Sequence, residues 1–363
     1  AEVNENFDNL DQRLSAIENA TTSTVNVDCS ADSAALKNTT LRPNTTYVLT
    51  GICDGQIRVG AGLGTINIQG DTTGTMDDGI TLQAGETDGD EIFAAIYGVD
   101  GVRLNLSNLT IDASAYNSSS DLYIAAVGSY RGAHVTLQSV HVVGGDEGLG
   151  AWNTGTFSVL EGNNISGFRA HGVISARASV VRIFDSVTVT GGSNQEGTVS
   201  EAVIALDGGV ITARSETNIT PATGPNLDAT NTVAIFAFRN GTLRLNGGTL
   251  SGNLWSGESS SVDLRNITQS NGDIEPFRNG VMRIRNSNIA GASGDQVFVG
   301  GFSSLRLDST VVNNVSGTGS IDTYRYGGID IRGNSDLNGR DINCADPRER
   351  RIDGSVLNVG TTC

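Results

Sequence analysis

Five stretches of eight residues share one pattern and predict the fold: LNLSNLTI (104–111), VTLQSVHV (135–142), LRLNGGTL (243–250), MRIRNSNI (282–289) and LRLDSTVV (305–312). In each stretch, apolar residues alternate with polar ones, as in a strand that buries one of its two faces. Asn, Ser, Asp or Gly interrupts the alternation, and these residues favour a bend of the backbone. The repeated unit therefore indicates short strands that stack on one another.

The spacing of these units indicates a solenoid. When the last apolar residue of each copy is taken as an anchor, successive anchors are separated by about 17 to 31 residues, which is the length of one turn. The anchors are Ile111, Val142, Ile165, Val189, Ile219, Leu250, Ile267, Ile289 and Val312. We predict an all-β fold, a right-handed single-stranded parallel β-helix over residues 47–337, whose inward rows form one core. In a β-sandwich, the main alternative, the strands would not share a repeat of turn length.

A family resemblance supports this architecture. The segments VNVDCSADSAALKN (25–38), YVLTGICDGQIRV (47–59), INIQGD (66–71) and GITLQAG (79–85) resemble the first turns of the pectate-lyase-like right-handed β-helix superfamily. That superfamily includes polysaccharide lyases, polygalacturonases, phage tailspikes and bacterial surface adhesins. The resemblance concerns the fold and implies no particular activity.

The two ends of the chain are predicted to be caps. Residues 1–22 carry apolar residues at helical spacing and predict an amphipathic helix, which either covers the first turn or joins subunits as a short coiled coil. The residues of this seam are Val3, Phe7, Leu10, Leu14 and Ile17. Residues 23–46 and 338–363 are predicted to form the remaining N-terminal and C-terminal cap segments. If the ends can engage another copy, the protein forms a homo-oligomer or a filament.

The four cysteines predict a disulfide near each end. Four cysteines permit three connectivities, and loop-closure entropy favours the pairs that are close in sequence, Cys29 with Cys53 and Cys344 with Cys363. Such bonds persist in an oxidising compartment. We therefore expect a secreted protein, extracellular or at the cell surface, with the periplasm as an alternative. The sequence contains no apolar run long enough to span a membrane.

Charge and composition exclude several classes of function. The net charge of −17 repels polyanions at long range, which argues against a sequence-independent nucleic-acid partner. Lys37 is the only lysine, so lysine chemistry is nearly excluded. No CxxC or His cluster indicates a metal site, and we expect no cofactor. Asp77, Asp78 and the acidic stretch 86–91 could hold calcium, but such stretches are more often solvated loops.

One cluster of ionisable residues is a candidate catalytic site. Asp146 and Arg169 each lie four residues after an anchor, so we expect them to stack on successive turns, with Glu147 and His171 beside them. A histidine, an arginine and two carboxylates could abstract a proton or hydrolyse a glycosidic bond. The alternative is an ion pair that holds two turns in register.

The same cluster shows a partial resemblance to two groups of enzymes in the superfamily. Ala170-His171-Gly172 is similar to the Gly-His-Gly of polygalacturonases, and Asp146-Glu147 stands roughly where their paired aspartates would be. However, no Asn-Thr-Asp precedes this pair. Lyases of this fold use a Lys or Arg base with calcium-binding acids, and Lys37 lies before the predicted solenoid.

A second pattern predicts a surface that binds glycans. An aromatic residue followed by arginine recurs just before the apolar-x-apolar strand, and two tryptophans fall near it. These residues are Tyr130, Arg131, Trp152, Phe238, Arg239, Trp255, Phe277, Arg278, Tyr324 and Arg325. If the side chains point outward, aromatic faces and guanidinium groups suit sugar rings and their carboxylates or sulfates. Alternatively, the aromatic side chains pack inward and the arginines pair with neighbouring aspartates.

From the sequence we expect a non-catalytic, extracellular structural or adhesive protein that binds glycans or other copies of itself. The runner-up is a carbohydrate-active enzyme, a lyase or a hydrolase, which acts on an acidic polysaccharide through the Asp146 cluster. The absence of lysine chemistry and the incomplete motifs favour the first interpretation, and whether the protein has any activity stays open.

Overall fold

A computed structural model describes residues 23–71, 77–83, 94–115, 124–193, 200–227, 231–290, 297–313, 320–344, 350–353 and 355–357. Within these residues the chain is all-β, with parallel strands stacked in one sheet of 21 strands and another of 12. The helix of this part of the chain, α1 (Ala35–Asn38), is a single turn.

The strands are short and follow one another closely along the chain. In order they are β1 (Ser23–Asp28), β2 (Thr45–Thr50), β3 (Ile52–Asp54), β4 (Ile57–Val59), β5 (Thr65–Gly70), β6 (Gly79–Thr81), β7 (Ala94–Gly98), β8 (Arg103–Ala113), β9 (Ala125–Tyr130), β10 (His134–Gly144), β11 (Glu147–Trp152), β12 (Thr156–Val159), β13 (Asn164–Phe168), β14 (His171–Ala176), β15 (Val180–Ile183), β16 (Val187–Gly191), β17 (Ser200–Leu206), β18 (Val210–Ala213), β19 (Thr217–Thr220), β20 (Thr232–Phe238), β21 (Thr242–Ser251), β22 (Asn253–Gly257), β23 (Ser261–Asn271), β24 (Ile274–Phe277), β25 (Val281–Arg285), β26 (Asn288–Ala290), β27 (Val297–Gly300), β28 (Ser304–Asp308), β29 (Val311–Asn313), β30 (Ser320–Tyr324), β31 (Gly328–Arg332), β32 (Asp341–Cys344) and β33 (Arg350–Ile352).

Pairing divides the strands into three ladders, each parallel throughout. Ladder I contains β1, β2, β5, β12, β15, β18, β25, β28, β31, β33 and the first parts of β8, β10, β21 and β23. Ladder II contains β3, β6, β13, β16, β19, β26, β29 and the second parts of those four long strands. Ladder III is the sheet of 12 strands, from β4 to β32. One passage through ladders I, II and III is called a unit below.

The register confirms most of the predicted anchors. Ile111, Val142, Ile165, Val189, Ile219 and Leu250 are successive partners in ladder II, and Ile289 pairs with Val312. Because the partners lie one above another, their side chains form one inward row. The prediction of an all-β chain with stacked parallel strands is therefore confirmed.

Ile267 was the wrong anchor. It pairs with Gly248, and Gln269 takes the place between Leu250 and Ile289 in the row. The last residue of the eight-residue unit is here a glutamine, so choosing the last apolar residue shifted the anchor by two positions. Gln269 is nevertheless fully buried: its side-chain nitrogen donates to the carbonyl oxygens of Gly252, Asn271 and Gly272, whereas its Oε1 has no hydrogen-bond partner among the described residues.

The inward rows of the three ladders form one continuous apolar core from Val27 to Ile342. Its residues are mostly Val, Ile and Leu, with larger side chains such as Tyr47, Phe157 and Phe168 fully buried. Each such side chain stabilises the fold by about 1.5–3 kcal/mol relative to exposure in water. The polar residues of the same strands point outward and form the surface on which a site can lie.

The bends from ladder III to ladder I have a common geometry. At Phe238, the next two residues, Arg239 and Asn240, have φ angles of 46° and 63°, and the Gly241 N–H donates to the Phe238 carbonyl oxygen at 3.0 Å. A Cβ on Gly241 would lie 2.0 Å from the carbonyl oxygen of Ala205, so the position after the bend requires a very small residue. This bend holds the arginine of the aromatic-arginine pattern outside the core.

The structure describes part of each predicted cap segment. A disulfide joins Cys29 to Cys53, as predicted, with a Cα–Cα distance of 5.0 Å. Parallel pairing begins at Ser23 in β1 and continues to Ile352 in β33, within the segments predicted as caps. The predicted helix over residues 1–22 lies outside the described residues, and so does Cys363, the predicted partner of Cys344. No helix among the described residues is long and apolar enough to cross a membrane.

Candidate functional site

Both candidate sites lie on the outer surface of ladder III. In this ladder the rows through Leu149 and through Ala151 point into the core. The outward rows pass through Glu147, Gly150 and Trp152 of β11 and through their partners on neighbouring strands. Residues of these outward rows that are close in space are therefore separated by a whole unit in sequence.

The four predicted catalytic residues lie together. Glu147 is the register partner of His171, with Oε1 3.9 Å from the His171 Nδ1. The Arg169 guanidinium lies 3.0 Å from a carboxylate oxygen of Asp146, one unit away. Asp146 Oδ2 also accepts the backbone N–H of Ile124 at 3.1 Å. The equal-offset argument thus located an ion pair between two units.

Glu201 completes this cluster and was missed from the sequence. It is the next register partner of His171, and its Oε2 lies 2.9 Å from the His171 Nε2. Its local sequence, Ser200-Glu201-Ala202-Val203, matches Asp146-Glu147-Gly148-Leu149 in having an ionisable residue followed by a small and then an apolar residue. This match was the available signal, but the longer connection before β17 hid the equal spacing.

Burial dominates the electrostatics of the cluster. Glu147 is only 2% exposed, and this burial raises the pKa of its carboxyl group, opposed by the nearby His171 and the hydrogen bond from Trp152. Burial by itself lowers the pKa of His171, but the hydrogen bond that its Nε2–H donates to Glu201 and the three surrounding carboxylates raise it overall. The result is a histidine that favours its charged form, enclosed by acids.

The cluster can hold a proton, and its own hydrogen bonds satisfy its buried polar atoms only in part. Glu147 Oε2 accepts the indole N–H of Trp152 at 3.1 Å, whereas Glu147 Oε1 has no hydrogen-bond partner among the described residues. Within this same part of the chain, no group of three or more His, Cys, Asp or Glu side chains is arranged to hold a metal ion.

The aromatic residues of the second pattern also lie on ladder III, with side chains on its outer surface. Tyr130, Trp152, Phe238, Phe277 and Tyr324 belong to one outward row. Tyr130 is buried against Tyr97, with a centroid distance of 6.0 Å, whereas the other four are half-buried. Trp255 belongs to the neighbouring outward row, two residues before Gly257 of the aromatic row.

Two glycines bring the rings of distant units together. Gly257 and Gly300 occupy the aromatic row below Phe277 and Tyr324, respectively. A Cβ at either glycine would lie less than 2.5 Å from the ring above it. Because the glycines leave this space, Phe277 lies 6.3 Å from Phe238 between ring centroids, although they are two units apart. Gly300 leaves the same kind of space for the ring of Tyr324.

A groove of about 450 Å³ follows this part of the row. Its lining residues are Phe236, Phe238, Glu275, Phe277, Arg278, Gly300, Gly301, Tyr324 and Arg325. The Tyr324 hydroxyl donates a hydrogen bond to Glu275, and burial and Asp273 raise the pKa of that carboxyl group. The groove thus combines aromatic faces with two exposed guanidinium groups and one carboxyl group.

Most arginines of the pattern pair with acids on neighbouring units. Arg131 lies 2.9 Å from Asp100, and Arg239 lies 3.5 Å from Glu258. Arg278 pairs with the same glutamate at 3.0 Å. Among the described residues, no carboxylate lies within 4.0 Å of Arg325. The sequence left two alternatives open for this pattern. The aromatic side chains point outward, as the first alternative predicted, whereas most of the arginines pair with acidic residues, as the second predicted.

Sequence reasoning missed Phe236, Phe298 and Glu275, which share the neighbouring outward row with Trp255. Phe236 contacts Phe238, Trp255 and Phe277, with centroid distances of 5.2, 5.6 and 6.4 Å. The alternation Phe236-Ala237-Phe238 places both rings on one face and was the signal that could have revealed the second row.

Comparison with known proteins gives no match: no family model, no curated protein and no solved structure corresponds to this chain.

Proposed function

We propose that the protein is a secreted, non-catalytic, right-handed parallel β-helix that binds an extended glycan along ladder III. The observation that carries the proposal is the groove in which Phe238, Phe277 and Tyr324 form one half-buried row. Half-buried rings are held in place by the strand beneath them, yet they keep a face toward solvent. Such a rigid aromatic surface can stack on sugar rings at little cost in conformational entropy.

The polar groups of the groove suit a sugar that carries acidic substituents. Arg278 and Arg325 lie at its edge, and a guanidinium group can bind a carboxylate or sulfate with two hydrogen bonds. Glu275 and Tyr324 can accept and donate hydrogen bonds to hydroxyl groups. An oligogalacturonate fits this combination better than an uncharged glucan does.

The wider setting of the proposal rests on the fold. The three parallel ladders repeat from β2 to β31 in the same order, which supports a solenoid, and a crossover between parallel strands of one sheet is right-handed in about 98% of cases. The Cys29–Cys53 disulfide supports an oxidising, extracellular location. A long rigid rod of this kind serves as a structural or adhesive element without turnover.

Titration with oligogalacturonates of defined length tests the proposal. We expect saturable binding of the wild-type protein and a loss of at least about fivefold in affinity for Phe277→Ala, because one stacking face is removed. Phe277→Tyr is the matched control, since it keeps the ring, and should bind as the wild type does. Equal affinities for wild type and Phe277→Ala would overturn the proposal.

A second candidate, a lyase or hydrolase activity, is favoured by one observation: buried Glu147 has a raised pKa and lies 3.9 Å from His171. A carboxylic acid of this kind can protonate a leaving group. Incubation with polygalacturonate distinguishes the candidates. The non-catalytic proposal expects no new reducing ends and no unsaturated products, whereas turnover that disappears in Glu147→Gln would assign the activity to the cluster.

A further inference from the structure

Arginine is concentrated on the outer face of ladder I, which is separate from the groove on ladder III. Over the units that contain β15, β18, β21, β23, β25, β28 and β31, the outward positions hold eight arginines and three aspartates. The arginines of this arginine face are Arg182, Arg214, Arg244, Arg265, Arg283, Arg285, Arg306 and Arg332. The chain as a whole carries a net charge of −17, so this local excess of positive charge opposes the overall composition.

The parallel register aligns these side chains along the stacking axis. Arg182, Thr212 and Arg244 are successive partners in one outward row, which continues through Asp263 and Arg283. Neighbouring strands lie about 4.7–4.9 Å apart. The guanidinium groups therefore repeat at multiples of that distance, in a straight line along the protein.

The two halves of the arginine face differ in how far the arginines are neutralised. In the C-terminal half they share three carboxylates: Asp263 lies 2.6 Å from Arg285 and 3.2 Å from Arg265. Asp308 similarly contacts Arg283 at 3.6 Å and Arg306 at 3.2 Å. The third, Asp330, lies 2.6 Å from Arg332 and 4.0 Å from Arg306. Each carboxylate thus serves two arginines, which leaves an excess of positive charge on this half.

In the N-terminal half the arginines are exposed and not neutralised by carboxylates. Among the described residues, no carboxylate lies within 4.0 Å of Arg182, Arg214 or Arg244. The Arg214 guanidinium lies 5.2 Å above the Phe184 ring, and the nearest acids in sequence, Asp185 and Glu216, follow at the bend toward ladder II. A cluster of exposed, uncompensated guanidinium groups gains energy when an anion replaces water beside them.

A histidine at the edge of this face responds to the same positive field. His134 lies on β10 in ladder I, with its Nε2 3.0 Å from the Ser158 Oγ. Burial lowers its pKa, and the positive charges of Arg103 and Arg182 lower it further. Arg182 of the arginine face thus acts electrostatically on a side chain two units away.

We propose that the arginine face binds a linear anionic polysaccharide that lies parallel to the stacking axis. The ligand must be extended, because the guanidinium groups follow a straight line, and it must carry repeated anionic groups, because several units contribute. A neutral glycan would form no ion pairs with these arginines. The net charge of −17 weakens the long-range attraction of any polyanion, so binding depends on close contact with the guanidinium groups, and a DNA duplex serves as the competing polyanion in the test. This site and the aromatic groove use different residues and different forces.

Binding to two anionic polysaccharides tests the proposal: heparin, which is sulfated, and polygalacturonate, which carries only carboxylates. We expect the wild type to bind at least one of them, with an affinity that falls steeply between 50 and 200 mM salt because counterions are released, a general behaviour of polyanion binding. The variant Arg182→Gln/Arg214→Gln/Arg244→Gln should bind at least about tenfold more weakly, with a smaller dependence on salt.

The matched control is Arg42→Gln/Arg58→Gln/Arg177→Gln, which removes the same charge from exposed positions outside the arginine face and outside the groove. It should change the affinity less than about twofold. Equal losses in the two triple variants, binding to neither polysaccharide, or tighter binding to a DNA duplex of equal charge would overturn the proposal. Phe277→Ala, which tests the groove, should leave the salt dependence unchanged, so the two proposals can fail separately.

Discussion

Gln269 is the register partner of Leu250 and places a fully buried amide in a row of aliphatic side chains. Its side-chain nitrogen donates to three carbonyl oxygens within 3.1 Å, those of Gly252, Asn271 and Gly272. These carbonyl groups belong to the bend from ladder II to ladder III in two successive units. The glutamine therefore supplies hydrogen bonds to the carbonyl groups of this bend, which the surrounding apolar side chains cannot do.

We expect Gln269→Leu to destabilise the protein, although it restores the apolar pattern of the row. The substitution leaves the buried carbonyl oxygens without their donor, which costs about 1–3 kcal/mol. Chemical denaturation measures this change. Gln138→Leu is the matched control, because the Gln138 side chain is exposed and donates to Glu161 at the surface, and it should change stability by less than about 0.5 kcal/mol. A Gln269→Leu variant at least as stable as the wild type would show that packing of the row outweighs the hydrogen bonds.

The Cys29–Cys53 disulfide should stabilise the N-terminal units. It closes a loop with a sequence separation of 24 residues, for which loop-closure entropy predicts about 3 kcal/mol. We expect Cys29→Ala/Cys53→Ala to lose about that much and to exchange amide hydrogens faster in β1 to β4 than in β10 to β16. Uniform exchange throughout would contradict a local role.

The second predicted disulfide can be tested without a variant. Digestion under non-reducing conditions should release a peptide pair that joins Cys344 to Cys363. A peptide that joins either of these residues to Cys29 or Cys53 would contradict the pairing inferred from loop-closure entropy.

The environment of His171 predicts that stability falls as the solution becomes alkaline. Its folded-state pKa is raised by the hydrogen bond to Glu201 and by the neighbouring carboxylates Glu147 and Asp146, despite the opposing effect of burial. Its stabilising contribution is thus fully present below its unfolded pKa of about 6.5 and is lost as the pH rises through the folded value. The raised pKa of Glu147 acts in the same direction, beginning at lower pH.

We expect the melting temperature of the wild type to decrease as the pH is raised from 6.5 to 8.5. The melting temperature of His171→Gln should change less over the same interval. His134→Gln is the control, because the pKa of His134 is lowered by burial and by Arg103 and Arg182. A lowered histidine pKa affects stability only as the pH falls below about 6.5. His134→Gln should therefore keep the wild-type slope above that pH, and identical slopes in all three proteins would refute the assignment.

Residues 1–22 remain predicted to form an amphipathic helix that either caps the first turn or joins subunits. Light scattering of the full chain should give an oligomer or a filament, and Leu10→Asp/Leu14→Asp should reduce it to a monomer with unchanged β-sheet circular dichroism. Asp11→Asn/Glu18→Gln, on the other faces of the predicted helix, is the matched control and should assemble normally. A wild-type monomer would indicate that the segment caps its own chain.

Local alternation by itself determined much of this protein. A strand places successive side chains on opposite faces, so LNLSNLTI or MRIRNSNI specifies its buried residues without any partner. Repetition of the unit then indicated stacked parallel strands, and equal offsets from the anchors located the ion pair between Asp146 and Arg169. These features depend on neighbouring residues within one unit, or on successive units in which the residue lies at the same distance in sequence from the anchor.

The tertiary structure alone decided which residues of different units meet. Connections of unequal length hid Glu201 from His171, and the glutamine at position 269 led to the wrong choice of Ile267 as an anchor. Gly257 and Gly300 leave space for the rings of Phe277 and Tyr324, which line one groove with Phe238. On ladder I, the parallel register places arginines that are far apart in sequence next to one another. The physical reason is that backbone hydrogen bonds set the pairing between parallel strands, and the partners are separated by 19 to 30 residues of chain. The length and the bends of that intervening chain do not follow from local alternation.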